Sequence, residues 1–190
     1  MKVRRAFGLA AAGGLALAVL GGGVVLSQTM HGHGHGTGMH AHDEGTMPGL
    51  RGVNASAEES AELAVMFRNF ETISRTVENL PDGIRTVTRS SDPAVMDVLI
   101  SHAVGMIDRV ARKDDPQILI QSPTLDLFFL QGDEIDSQID VTDAGLVVVQ
   151  TSDNPALVAA LHDHAAEVTA MADRGMAAVH EMMIDQGRSH

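Results

Sequence analysis

The chain of 190 residues has no cysteine, no tryptophan and no tyrosine, and it has only five phenylalanines. Without cysteine it can form neither disulfide bonds nor thiolate metal sites, and it cannot attach haem covalently in the c-type manner. The sequence also has no nucleophile elbow, no glycine-rich phosphate loop and no His-Glu-x-x-His motif. We therefore expect a protein without catalytic activity.

Positive charge is scarce as well, because 13 lysine and arginine residues face 25 aspartate and glutamate residues and the formal net charge is -12. Such an acidic surface repels nucleic acid and anionic lipid, so we expect neither as a partner. Metal ions and a second exported protein remain as candidate partners.

Residues 1–27 begin with the basic stretch MKVRR and continue as an apolar, glycine-rich run. This order is typical of a secretory signal peptide, although the run is also long enough to act as an uncleaved membrane anchor. Arg4 and Arg5 partly match a twin-arginine signal, which is a second export route. In each case we expect the mature chain to be periplasmic or secreted, with membrane contact only if the leader is retained.

Residues 28–54 are rich in glycine and histidine and show no apolar periodicity, so we predict that this tail is disordered. Imidazole binds copper, zinc and nickel, thioether selects Cu(I), and glycine lets the chain wrap around an ion. A tail that mixes histidine with methionine resembles those of exported bacterial copper-handling proteins. This favours copper first and zinc or nickel after it, with a neutral linker as the alternative. The predicted metal ligands in the tail are His31, His33, His35, Met39, His40 and His42.

Residues 55–190 are predicted to form a single domain that contains an internal repeat. Residues 67–103 align without gaps with residues 129–165, at an offset of 62, and ten of the 37 positions are identical. Each copy shows the pattern of a strand, a turn, a second strand and a helix. Each helix begins with a good N-cap, Asp92 or Asn154, and the next residue is proline.

We assign the first repeat to about residues 56–113 and the second to about 124–186, with a linker over residues 113–125. The last helix is expected to run over residues 155–184, with a kink at Gly175. A lone hairpin is marginally stable, but two can join into one sheet. The predicted fold is therefore α+β: two strand-turn-strand-helix repeats form a four-stranded antiparallel sheet packed by helices and related by a pseudo-twofold axis. A short helix and the disordered tail precede it.

The repeat places two histidines, His102 and His164, at equivalent positions on the apolar stripes of the two helices. If the helices lie side by side about the axis, the two imidazoles face each other and could hold one metal ion. Alternatively, they could clamp the iron of haem b from both sides. Met106, one helical turn after His102, could join such a site. The alternative is two half-buried histidines with purely structural contacts.

A third group of soft ligands lies near the C-terminus, where Met176, His180 and Met183 share one face of the last helix. One imidazole with two thioethers suits Cu(I), but methionine at helical spacing also serves as core filler in a protein with few aromatic residues. His162 lies off the apolar stripe of its helix, and we expect it in solvent.

Together these patterns favour an exported protein that binds or buffers a transition metal, with no reaction implied. Two alternatives stay open. One is a b-type haem-binding protein that uses His102 and His164, and the other is a periplasmic interaction module without a cofactor.

Overall fold

The computed structural model describes residues 47–187, where helices and strands follow one another as the repeat predicts. The helices are α1 (Ala57–Arg68), α2 (Pro93–Arg112), α3 (Thr124–Gln131), α4 (Pro155–Arg174) and α5 (Met176–Asp185). The strands are β1 (Ile73–Leu80), β2 (Gly83–Ser90), β3 (Asp136–Thr142) and β4 (Gly145–Thr151). These strands form one antiparallel sheet in the order β1-β2-β4-β3. The predicted α+β fold is confirmed.

The two hairpins have the same register, so the repeat in the sequence is also a repeat in the backbone. The turn-closing pair Leu80–Gly83 of the first hairpin recurs as Thr142–Gly145 in the second, and the other pairs follow at the same offset. At the centre of the sheet, where β2 pairs with β4, Thr86 lies opposite Val148. Val148 is the residue of the second repeat that corresponds to Thr86. A pseudo-twofold axis therefore passes between these two residues.

The two long helices pack against the inner face of the sheet, but they approach it differently. The backbone of α4 lies close to β1 and β2, and Leu161 of this helix joins Ile84 in one hydrophobic cluster. The backbone of α2 stands further from the sheet, and its Leu99 reaches the second hairpin by clustering with Ile139 and Leu146. Each long helix therefore packs on the hairpin of the other repeat.

The segment interpreted as a linker contains the start of an additional helix. α3 begins at Thr124, after the Asp-Pro and Ser-Pro breaks that favoured a loop. Its Phe128 and Phe129 are buried in the main hydrophobic cluster, and this burial stabilises a helix that the local sequence signals only weakly. A 3-10 turn follows α3, as one also follows α1, so the helix before each hairpin belongs to the repeat.

The kink expected at Gly175 is a complete break between α4 and α5. Gly175 has a φ of +56°, and a Cβ at this position would lie 2.8 Å from the ring of Phe70. Glycine is therefore required both for the backbone conformation and for the close approach. The break lets α5 pack across the domain, where Val179 is buried beside Leu50.

The prediction that residues 28–54 form a disordered tail is wrong for residues 47–54, which pack on the domain. Leu50 is 1% exposed, and Gly52 forms a β-bridge with Ile118. The other residues of the predicted tail, with all its metal ligands, and the leader lie outside the described residues. Among residues 47–187, no helix is long and apolar enough to cross a bilayer.

Candidate ligand cavity

A cavity of about 330 Å³ lies between the inner face of the sheet and the helices α1, α2 and α4. Volumes of roughly 300–1,000 Å³ are typical of small-molecule sites. Most of the wall is apolar, and the backbones of α2 and α4 make little contact with each other. The polar side chains in the wall include His102, His164, Arg75, Glu167, Thr88 and Gln150.

The two histidines of the repeat line this same cavity, His102 from α2 and His164 from α4. The Nδ1 atom of His102 lies 3.6 Å from Oε2 of Glu62, and Nδ1 of His164 lies 3.7 Å from Oε2 of Glu167. These distances are longer than hydrogen bonds, yet each carboxylate lies on the Nδ1 side of its imidazole. This pattern suits a ligating histidine, whose second nitrogen usually faces a carboxylate or carbonyl.

Burial determines the protonation state of His102. Burial lowers the pKa of its imidazole, and this effect exceeds the opposing attraction of the Glu62 and Glu59 carboxylates. The imidazole is therefore neutral at neutral pH, and a neutral ring is the form that binds a metal. His102 is thus chemically ready to act as a ligand.

Glu167 is held in place beside His164 by two hydroxyl groups. Ser122 donates to its Oε1 at 2.7 Å and Thr124 donates at 3.1 Å, while Phe128 packs edge-on against the His164 ring. Burial raises the pKa of Glu167, but the contacts with His164, Ser122 and Thr124 outweigh it and the pKa lies below its ordinary value. The carboxylate is therefore ionised at neutral pH and keeps a negative charge next to the imidazole.

Arg75 brings a positive charge to the cavity wall. Its Nη1 donates to Oγ1 of Thr88 at 2.8 Å, whereas its Nε is buried without a hydrogen-bond partner. No carboxylate among residues 47–187 forms an ion pair with it. Burial lowers the pKa of the guanidinium to about 10, so the group remains charged at neutral pH. One pattern in the sequence could have identified this residue, because it is an arginine on the inward-facing phase of β1.

The other candidate ligands in the described part of the chain do not form a second site of this kind. Met106 lines the same cavity as His102. Met176 and Met183 pack in a hydrophobic cluster around Leu50, while His180 on the same helix is exposed. Residues 47–187 contain no group of three or more histidine, aspartate or glutamate side chains placed to hold a metal ion.

The expectation that His162 lies in solvent is wrong. Its Nε2 contacts the carbonyl oxygens of Gly83 at 2.9 Å and Leu80 at 3.2 Å, so it donates to the turn between β1 and β2. The prediction failed because α4 packs over that hairpin, which a helical projection of one segment cannot show. His162 therefore has a structural role in holding α4 to the first hairpin.

Comparison with protein-family models, with curated proteins and with solved structures finds no match to this chain.

Proposed function

We propose that the domain is a binding protein for haem b, with His102 and His164 as its axial ligands. The observation that carries the proposal is that two equivalent imidazoles, one from each repeat, line a single, mostly apolar cavity. Haem proteins use the same combination, an apolar pocket for the ring and one or two side chains for the iron. The proposal implies no reaction.

The small number of metal-binding side chains in this cavity favours haem over a bare ion. A bare copper, zinc or nickel ion needs about three or four protein donors, and no such group of histidine and carboxylate side chains occurs in residues 47–187. The four nitrogens of a porphyrin leave only two axial positions for the protein to fill. Two histidines are therefore sufficient for haem, and Met106 is available beside His102.

Titration of the purified protein with hemin tests this proposal. We expect a Soret band that saturates at one hemin per chain. In the double variant His102→Ala/His164→Ala, affinity should fall by about tenfold or more, which corresponds to about 1.4 kcal/mol or more. The matched control is His180→Ala, which removes an exposed imidazole on α5 and should bind as the wild type does.

Two results would overturn the proposal. One is a wild-type protein that shows no saturable Soret band. The other is a double variant that binds hemin as tightly as the wild type while its thermal unfolding transition shows that it is folded.

We also propose that the N-terminal tail captures transition-metal ions, copper first and zinc or nickel after it, once the chain has been exported. Five histidines and one methionine lie within His31–His42, and both side-chain types bind copper. A tail with the disorder that its composition predicts would hold ions weakly, because ordering it costs entropy. The tail would then buffer metal outside the cytoplasm, independently of the cavity.

The packing of Leu50 determines how this second proposal is tested. A truncation at residue 54 would remove the buried Leu50 and the bridge at Gly52, so it would perturb the domain. We therefore replace the five tail histidines by serine and Met39 by leucine in the full chain. After exposure to copper, elemental analysis should show metal in the wild type and most of it lost in the variant. Equal metal content in the two proteins would overturn the proposal.

A further inference from the structure

The Arg75 guanidinium is a positive charge in the cavity wall whose counter-charge the described residues do not supply. A buried charge without a partner is costly for a folded protein. Thr88 satisfies one N–H group, and Nε is left with no partner. An anionic group bound in the cavity would satisfy the remaining donors.

The carboxylate in the cavity wall does not fill this role. Glu167 lines the cavity, but its Oε1 accepts from Ser122 and Thr124, and its Oε2 faces His164. No ion pair joins it to Arg75. Glu167 and Arg75 therefore contact different neighbours, and the Arg75 guanidinium can still donate to a ligand.

The inner face of the sheet supplies further polar groups near the guanidinium. β1 and β2 place Arg75 directly opposite Thr88, and Thr86 lies two residues before Thr88 on the same face. Both threonines line the cavity. A planar guanidinium binds a carboxylate through two parallel hydrogen bonds, and a hydroxyl beside it can add a third.

We infer that Arg75 binds a carboxylate of the cavity's ligand, so the ligand is an amphipathic acid with a mostly apolar body. This inference rests on the proposed function, because haem b is such a molecule and Arg75 would contact one of its propionates. It goes further by naming the group that orients the ligand: the carboxylate lies towards β1 and the apolar ring lies between the helices.

Metal-free mesoporphyrin IX and its dimethyl ester test Arg75 separately from the histidines, since neither probe contains iron. Binding is followed by porphyrin fluorescence in the wild type, in Arg75→Gln and in Arg85→Gln. The last variant removes an exposed arginine from the outer face of β2 and serves as the matched control. We expect the wild type and the control to bind the diacid about tenfold more tightly than the ester, because a charge-assisted hydrogen bond is lost with the ester.

In Arg75→Gln, we expect the preference for the diacid to disappear through weaker diacid binding, with ester binding unchanged. A preference that survives this substitution, or equal binding of the two probes by the wild type, would overturn the inference and leave the haem proposal standing. If the wild type binds neither probe, the cavity does not hold an amphipathic acid without iron and this inference is overturned, whereas the haem proposal is decided by the hemin titration.

A second measurement distinguishes a ligand-binding role from a structural one. Arg75→Met replaces the unpaired charge with an apolar side chain of similar length, and in the ligand-free protein we expect a melting temperature equal to or above that of the wild type. A melting temperature several degrees lower would show that the guanidinium supports the fold itself, which would contradict the inference.

Discussion

The two repeats share a backbone but differ in the chemistry of their inner faces. Arg75 opposite Thr88 in the first hairpin corresponds to Ser137 opposite Gln150 in the second. In the first pair the guanidinium donates to the threonine, and in the second the Gln150 amide donates to the serine at 3.2 Å. A shared backbone therefore places the cavity on the pseudo-twofold axis, and the differing side chains put a positive charge on the first hairpin's side of it only.

The two histidines also occupy equivalent positions but differ in the side chains around them. His102 and His164 are equivalent, but the carboxylate beside His102 comes from α1, as Glu62, and the one beside His164 comes from its own helix, as Glu167. The Ser101 hydroxyl donates to Glu62 at 2.5 Å. The two equivalent histidines therefore have different supports in the two repeats.

The largest difference expected between the repeats is in the free energy of unfolding that is lost when the equivalent leucines of α2 and α4 are shortened to alanine. Leu161 is fully buried in the close packing between α4 and the sheet, whereas Leu99 borders the cavity. Large-to-small substitutions in a core cost about 2–5 kcal/mol, depending on how well the site was filled. We expect Leu161→Ala to lower the free energy of unfolding by about 4 kcal/mol and Leu99→Ala by about 2 kcal/mol.

Urea denaturation of the two ligand-free variants measures this difference directly. Equal losses would mean that α2 packs as tightly as α4, and the asymmetry of the two halves would then have no energetic consequence.

A smaller effect concerns an ion pair that the second repeat lacks. Arg109 donates to both carboxylate oxygens of Glu59, at 2.5 and 2.9 Å. At the offset of 62, Arg109 corresponds to Met171 and Glu59 corresponds to Gln121, so the second repeat cannot form this ion pair. The hydrogen bond with Arg109 lowers the pKa of Glu59. A group whose pKa is lowered by folding stabilises the protein above its unfolded pKa, and this contribution is lost as the pH falls through the folded pKa.

We therefore expect Glu59→Gln to lower the free energy of unfolding by roughly 1.5–3 kcal/mol at pH 7, and the difference from the wild type to shrink as the pH falls below about 4. Thermal unfolding over a pH series measures it. The neighbouring exposed Glu58→Gln provides the matched control and should change little. A deficit in Glu59→Gln that stays constant from pH 7 to pH 3 would show that the ion pair is not its source.

The sequence was most informative where the two copies could be compared with each other. The offset of 62 predicted both hairpins, both long helices and the equivalence of His102 and His164. It could not predict α3, whose stability depends on burying Phe128 and Phe129 against distant residues. Nor could it predict the cavity, because the space beneath α2 depends on how far that helix stands from the sheet, and no local pattern encodes that distance.

The most direct test of the account is the low-temperature electron paramagnetic resonance spectrum of the protein with one ferric haem per chain. If each repeat supplies one axial imidazole, the wild type should give a low-spin spectrum. His102→Ala and His164→Ala should each give a high-spin spectrum on their own. Two results would contradict the claim that the two equivalent histidines act together in one cavity. One is a low-spin spectrum in each of the two single variants, and the other is a high-spin spectrum in the wild type.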